Sequence, residues 1–107
     1  MTTPASDIDL SPMILDEFMS GGRRFRTERP LVFTTEYLDE DEMYLIEGEF
    51  EIALWAPTRE ELWAVLTETM DWMWRHFAEG DPEQLDGVAA DRGVELRERF
   101  EHVADAA

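Results

Sequence analysis

The segment 50–62 constrains the fold of this chain more than any other, because it describes a strand that turns directly into a helix. Apolar residues alternate with other residues through its first half, which is the period-two pattern of a half-buried strand. Thr58 and Glu61 then have the T-x-x-E spacing of a capping box, in which the threonine hydroxyl accepts a hydrogen bond from the Glu61 amide. Pro57 restricts the residue before it to extended geometry, so the strand cannot continue as a helix. This junction indicates a fold rather than a reaction.

A long amphipathic helix is predicted to follow the junction, from Arg59 to about Glu79, with Gly80 as its stop. Its inner stripe has helical spacing and consists of Leu62, Leu66, Thr69, Met70, Met73 and Phe77. Trp63 and Trp74 border this stripe and are predicted to be only partly covered. Because tryptophan is enriched where protein partners meet, we predict that both side chains take part in partner binding.

Two further strands are predicted before the junction, at 31–38 and 43–47, with the acidic turn 39–42 between them. Gly48 and Glu49 are expected to form a bulge or tight turn into the strand of the junction. The predicted fold class is therefore α+β. It is a three-stranded antiparallel meander packed on one long amphipathic helix, with short N-terminal and C-terminal helices.

The N-terminal part, residues 1–22, is predicted to be a mobile tail that could contain a short helix at 13–19. Gly21 and Gly22 are interpreted as the stop of that helix. Residues 23–107 are predicted to form a single α+β domain, since a chain of 107 residues provides one modest core.

A final helix is predicted near the C-terminus, with Leu96, Phe100 and Val103 on one narrow face. Gly87 and Gly93 interrupt the region before this face. They predict a broken or short element there.

The chain has 26 acidic residues against nine basic ones, all of them arginine, and a net charge of −17. Eight of the acids and no base fall within residues 36–51. The simpler interpretation is that this charge forms a solvated acidic surface that keeps the protein soluble. The functional interpretation is that the charge attracts a basic partner. Ordinary DNA or RNA binding is disfavoured, because phosphate contacts need clustered Lys and Arg. Four arginines within residues 23–29 are interpreted as an internal salt-bridge counterweight, with a nucleic-acid contact as the weaker alternative.

The residues that catalysis or metal binding would need are scarce. The chain has no cysteine, and its two histidines, His76 and His102, lack the spacing of a zinc site. Neither a glycine-rich phosphate loop nor a nucleophile elbow occurs in the sequence. We therefore predict a non-enzymatic protein with no cofactor and no metal. No stretch approaches the roughly 20 apolar residues of a membrane span, and no signal peptide is evident, which predicts a cytoplasmic protein.

The order of strand, acidic turn, strand, strand, T-x-E-E and amphipathic helix resembles the HicB-like antitoxin family, which has a partial RNase H-like fold. The resemblance covers about residues 31–79 and rests on Tyr44-Leu45-Ile46-Glu47 and on residues 51–62. The chain departs from the family at Glu42-Met43, where the family turn has glycine after its acids. It departs again at Gly48-Glu49, where the family has a proline-rich link, and no DNA-binding extension is evident. The resemblance implies a protein that covers the active site of a small basic ribonuclease toxin.

We therefore predict a non-catalytic protein-binding module that occludes or scaffolds a small basic partner, which under the resemblance is a ribonuclease toxin. Glu40, Asp41 and Glu42 are predicted to steer this partner, and Trp63 and Trp74 to make apolar contacts with it. Two alternatives stay open. One is an acidic mimic of nucleic acid that inhibits a DNA-binding protein, and the other is a self-associating structural domain that forms a homodimer.

Overall fold

A five-stranded antiparallel sheet forms the body of the protein in the described part of the chain. The structure is a computed structural model, and it describes residues 8–81 and 83–105. In chain order its strands are β1 (Met13–Ser20), β2 (Arg23–Leu38), β3 (Met43–Gly48), β4 (Ala53–Ala56) and β5 (Phe100–Asp105). The 16-residue strand β2 organises the sheet, because β1 pairs along one of its edges while β3 and β5 share the other edge. β4 extends the sheet beyond β3.

Two helices cover one face of this sheet. α1 (Arg59–Met73) crosses the face from β4 to β1 and continues as the π-helical segment Trp74–Ala78. α2 (Gly87–Arg99) packs against that segment and leads directly into β5. Because strand side chains alternate between the two faces, alternate residues of the strands point toward the helices. The core that results consists of Met13, Leu15, Phe18, Phe25, Leu31, Phe33, Ile46, Ile52, Ala56, Leu62, Leu66, Met70, Met73, Leu96 and Phe100.

The predicted junction between strand and helix is confirmed at its cap. The Thr58 hydroxyl accepts a hydrogen bond from the Glu61 amide at 3.1 Å, and α1 begins at Arg59. The buried residues of α1 are Leu62, Leu66, Thr67, Met70 and Met73. Thr67 is therefore part of the buried stripe, where the sequence predicted Thr69.

The predicted three-stranded meander is wrong, because the sheet of the described residues has five strands. The order of strand, acidic turn, strand, strand and helix does occur between Leu31 and Met73. However, β1 and β5 pair with the first half of β2, which lies outside the predicted meander. The third strand is also shorter than predicted. Phe50 has a φ of 57° and belongs to the 3₁₀ turn Glu49–Glu51, so β4 begins only at Ala53.

The predicted short helix at 13–19 is also wrong, since these residues belong to β1. Gly21 and Gly22, with φ values of 59° and 79°, form the two-residue turn of the β1–β2 hairpin. Their neighbours Ser20 and Arg23 face each other in the ladder. Hairpin turns with positive φ at both central residues favour glycine at both positions. The glycine pair is therefore a hairpin turn and not a helix stop.

An irregularity in the β1–β2 pairing accompanies the helix-like spacing of β1. Leu15 lies opposite Leu31 and Glu17 lies opposite Arg26, so the extra residues of the ladder belong to β2. The register shifts after Leu15, so that Leu15 and Phe18, three residues apart, both point into the core. That spacing imitates the period of a helix. The beginning of the predicted mobile tail, residues 1–7, lies outside the described residues.

The predicted C-terminal helix is wrong beyond Arg99, where α2 ends and β5 begins. β5 pairs with residues 23–27 of β2, on the edge that β3 occupies only along residues 33–38. Backbone groups in a sheet need hydrogen-bond partners, so pairing overrides the helical spacing of the apolar residues here. Phe100 then packs edge-on against Phe25, with 5.6 Å between the ring centroids.

Gly93 lies within α2 and does not interrupt it. A Cβ atom at this position would lie 2.5 Å from the carbonyl oxygen of Phe77 in the π-helical segment, so glycine permits the close approach of the two elements. Gly87, at the start of the same helix, would direct a Cβ atom into open space.

We expect Gly93→Ala to lower the free energy of unfolding by about 1–3 kcal/mol, because the methyl group would displace a backbone carbonyl. Gly87→Ala is the matched control, and it should leave the stability unchanged or raise it by up to about 1 kcal/mol. Urea denaturation of both variants measures the difference. Equal stabilities would contradict the close packing of α2.

Candidate protein-binding surface

The face of the sheet turned away from α1 and α2, here called the open face, carries apolar side chains in contact with solvent. Val32 is 46% exposed, Ile14 is 51% exposed and Trp55 is 60% exposed. Ile14 lies opposite Val32 in the β1–β2 ladder, and Trp55 lies opposite Leu45 in the β3–β4 ladder. Such cross-strand neighbours interact on one face of a sheet. The open face comprises Ile14, Val32, Thr34, Glu36, Leu38, Met43, Leu45, Glu47, Ala53 and Trp55.

A hollow of about 660 Å³ lies in the open face, beside the turn that joins β2 to β3. Its walls consist of Leu38, Asp41, Met43, Leu45, Glu47, Ala53 and Trp55. A second hollow of about 410 Å³ adjoins the first, and Glu47 and Ala53 line both. Together they form a groove along β3 and β4, here called the open-face groove. Concave apolar surfaces with a few polar groups are typical of binding sites.

Carboxylates surround this groove. Asp41 and Glu47 belong to its walls, and Glu36 lies opposite Leu45 across the β2–β3 ladder. The ion pairs between described residues use other carboxylates, which are those of Asp9, Glu49, Glu51, Asp71, Glu79, Glu95 and Glu101. Glu36, Asp41 and Glu47 therefore have no arginine partner among these ion pairs, whereas Glu51, in the second hollow, pairs with Arg92 at 3.4 Å.

The negative potential reaches the opposite side of the β2–β3 turn. The rings of Tyr37 and Tyr44 pack edge-on there, with 5.1 Å between their centroids. Partial burial raises the pKa of Tyr37, and the carboxylates of Glu42 and Asp39 raise the pKa further. A phenolate at this end of the sheet is disfavoured by the same charges that would attract a cation.

The three acids predicted to steer a partner lie together. Glu40, Asp41 and Glu42 occupy the turn between β2 and β3, and Asp41 forms part of the groove wall. Glu42 has a φ of 52°, and the Asp41 amide donates a hydrogen bond to the Leu38 carbonyl at 3.2 Å. The turn is therefore a tight one, and of its three carboxylates it places that of Asp41 in the groove wall.

The two tryptophans predicted to contact a partner lie elsewhere, on the face of the sheet that carries α1. Eleven positions separate Trp63 from Trp74, which is about 16 Å along a helix. Trp63 is 38% exposed. Trp74 is half-buried and packs edge-on against Phe25 and Phe100. The structure therefore does not place these two rings at the groove, and their role in binding stays a prediction.

Sequence reasoning missed Trp55 as a candidate contact residue. The alternation of β4 put it on the same side as Glu51 and Ala53, the side away from the core. A tryptophan on the solvent side of a strand was the available signal, because exposed aromatic side chains are typical of interfaces. Leu38 and Leu45 gave no comparable signal, since the hollow between them exists only when β2, β3 and β4 are in register.

The arginine cluster at 23–29 lies in β2, and two of its four arginines form ion pairs within the chain. Arg23 forms an ion pair with Glu79 at 2.8 Å, and Arg26 forms one with Glu101 at 3.3 Å. These pairs join β2 to the region after α1 and to β5. They support the interpretation of the cluster as a counterweight to the acidic residues.

The turn before β4 is held by a partly buried ion pair. Arg99, the last residue of α2, donates two hydrogen bonds to the Glu49 carboxylate, at 2.7 and 3.2 Å. These bonds lower the pKa of Glu49 and raise the pKa of Arg99. The guanidinium carbons of Arg92 and Arg99 also lie 6.0 Å from the centroid of the Phe50 ring. The direction in which β4 leaves this turn therefore depends on α2.

Within residues 8–81 and 83–105, no group of three or more His, Cys, Asp or Glu side chains has the arrangement of a metal site. In the same part of the chain, no helix combines the length and the apolar character needed to cross a membrane. Comparisons with family models, curated proteins and solved structures find no match to this chain, so the resemblance to HicB-like antitoxins stays a prediction.

We expect Glu49→Gln to lower the free energy of unfolding by about 1–2 kcal/mol at pH 7, because it replaces two charge-assisted hydrogen bonds that are partly screened by solvent. The pKa of Glu49 is lowered from its ordinary value of 4.5, so the native pair contributes stability above that pH. The contribution is lost as the pH falls through the lowered pKa. The difference between wild type and variant should therefore shrink on acidification.

Chemical denaturation at several pH values between about 7 and 2.5 measures this difference. Glu95→Gln is the control, since Glu95 is about half exposed and pairs with Arg92 within one helix. It should change the stability by less than about 0.5 kcal/mol. A Glu49→Gln effect that is independent of pH would contradict the role given to the ion pair.

Proposed function

We propose that this chain is a non-catalytic protein-binding module whose open-face groove receives a basic partner protein. The observation that carries the proposal is the groove itself, an apolar hollow of about 660 Å³ bounded by Asp41 and Glu47 on a chain with a net charge of −17. Apolar surface at the centre provides the desolvated contact, and charges at the rim select a partner of opposite sign.

Charge also favours a different protein over a second copy of the chain as the partner. Two copies would each contribute a charge of −17 and would place acidic turns near one another. Like charges facing each other across an interface cost free energy, whereas Arg and Lys of a partner would neutralise them. A small basic protein is therefore the partner class that the surface fits best.

The resemblance to HicB-like antitoxins adds one specific version of this proposal, in which the basic partner is a ribonuclease toxin and binding covers its active site. The acidic turn, the adjoining strands and the capped helix that carry the resemblance all lie within Leu31–Met73 of the structure. Inhibition of a captured ribonuclease by the purified chain tests this version separately from binding.

Affinity capture with matched variants tests the proposal. Wild type, Trp55→Ala and Trp72→Ala are immobilised at low salt in a nuclease-treated lysate of the source organism. Trp72 is the matched control because it is 51% exposed, comparable to Trp55 at 60%, but lies on α1. We expect a basic, stoichiometric protein that wild type and Trp72→Ala retain and that Trp55→Ala loses. Truncation of a central aromatic contact typically costs about 2 kcal/mol or more of binding free energy.

Several outcomes would contradict the proposal. Retention of the same partner by Trp55→Ala would exclude the groove as the binding surface, and a parallel Trp63→Ala capture would show whether α1 provides it. If DNA competes with this chain for the captured protein, the result would favour a nucleic-acid mimic. Capture of the chain alone would favour a self-associating domain.

The acidic turn should control the rate of association more than the rate of dissociation. In a variant with Glu40→Gln, Asp41→Asn and Glu42→Gln, we expect association with the captured partner to slow by about tenfold at low salt. The effect should vanish at about 1 M salt, where the Debye length is about 3 Å and charges no longer attract each other at a distance. Stopped-flow or surface-based kinetics measure both rates.

A control variant removes the same charge from the two helices, through Glu60→Gln, Glu68→Gln and Asp91→Asn. It should slow association much less, because these residues lie on the opposite face. Equal slowing in the two variants would show that net charge alone, and not the acidic turn, steers the partner.

A further inference from the structure

The backbone of β4 has hydrogen-bonding groups that point away from the sheet. Gly48 donates its amide hydrogen to the carbonyl of Ile52 at 3.2 Å, and these residues continue the β3–β4 register. Bonded and non-bonded pairs alternate in an antiparallel ladder, so Leu54 and Ala56 are the β4 residues that bond to β3. Ala53 and Trp55 therefore direct two N–H and two C=O groups outward.

The same two residues line the open-face groove. Ala53 and Trp55 contribute side chains to its wall, and β4 is the last strand on this side of the described sheet. A segment that paired with their backbone groups would lie beside the groove. Its alternate side chains would then point over the groove, next to Trp55 and Leu45.

The edge of β4 lacks the side-chain protection that the edge of β1 has. β1, the last strand on the other side, contains the charged residues Asp16 and Glu17. Charged side chains on an edge strand prevent unwanted strand pairing. β4 contains no charged residue and presents an exposed tryptophan. Its four residues, followed by Pro57, limit an added strand to about four paired residues, or about 13 Å.

We infer that the basic partner binds by adding a strand to the free edge of β4, through an extended segment in which apolar residues alternate with Arg or Lys. This inference rests on the proposed function and specifies its mode. The apolar side chains would enter the groove, and the cations would meet Glu47 and Asp41, which line it. Main-chain hydrogen bonds would provide affinity and the alternate side chains would provide specificity.

Ala53→Pro isolates the edge from the groove. Proline removes the outward N–H of Ala53. It leaves the hydrogen bonds to β3 and the apolar contacts in place. Ile52 already has φ of −76° and ψ of 130°, the extended geometry that a residue before proline requires. The variant should therefore unfold at the same temperature as wild type. Ala53→Val, which retains the N–H, is the matched control.

A displayed library of random 12-residue peptides, selected on the wild-type chain, provides the probe. We expect the selected peptides to alternate apolar residues with Arg or Lys. Individual synthetic peptides should bind Ala53→Pro about tenfold more weakly than wild type, and Ala53→Val within about threefold. Trp55→Ala should also weaken binding about tenfold or more. Fluorescence anisotropy measures each dissociation constant.

A second measurement does not depend on the folding of Ala53→Pro. Each selected peptide is synthesised in two forms, with N-methyl groups on the odd or on the even amides. An added strand uses only every second amide for pairing, so one form should lose binding and the other should keep it.

Peptides that tolerate Ala53→Pro and both methylated forms, but not Trp55→Ala, would overturn strand addition and leave the proposed function intact. Peptides that are indifferent to Trp55→Ala would overturn both. If the selected peptides are acidic, or if no peptide is selected, the inference that a basic segment occupies the groove would be overturned. A homodimer of wild type that Ala53→Pro abolishes would assign the edge to a second copy of the chain.

Discussion

The architecture depends on the hydrogen bonding of one long strand. β2 has 16 residues, and its backbone groups need partners along both edges. β1 satisfies one edge, whereas the other edge is divided between β3 and β5. The division explains why the chain must return from α2 as a strand, and why α2 ends at Arg99. It also leaves β4 attached to β3 alone within the described sheet, which produces the free edge beside the groove.

The alternation of side chains along β2 separates the two functions of the sheet. One face takes the helices and holds the core, and the other keeps apolar pairs such as Ile14 and Val32 in contact with solvent. An exposed apolar face promotes self-association, but a net charge of −17 opposes the approach of two copies. Apolar surface and like charge on one molecule are compatible when a partner of opposite charge covers the face. The proposed function follows from this combination.

The free edge of β4 and the rest of the described fold are connected through the turn before β4. Glu49 and Arg99 connect this turn to the end of α2, and α2 in turn approaches the π-helical segment closely at Gly93. A change in the packing of α2 therefore reaches the backbone groups of Ala53. Residues far from the groove in the sequence contribute to its geometry in this way, although they do not line it.

The sequence by itself determined the features that depend on neighbouring residues. The threonine cap at Thr58 and the amphipathic stripe of α1 follow from spacing within one or two turns, and the acidic turn at 39–42 follows from composition. Gly21 and Gly22 have the composition of a hairpin turn, but the register shift after Leu15 accompanies a helical spacing of the apolar residues in β1. Local patterns identify elements, and one irregularity in strand pairing is enough to exchange one period for another.

The tertiary structure alone decided which elements pair and which residues share a surface. The residues 100–105 have apolar spacing compatible with a helix, and only the unfilled edge of β2 makes them a strand. The groove likewise joins Leu38, Leu45 and Trp55 from three strands, whose register no local pattern contains. The position of Trp74 beside the apolar stripe of the helix predicts a contact with a partner, yet its ring packs against Phe25 and Phe100. The physical reason is the same in each case: long-range pairing and packing supply free energy that local propensity cannot anticipate.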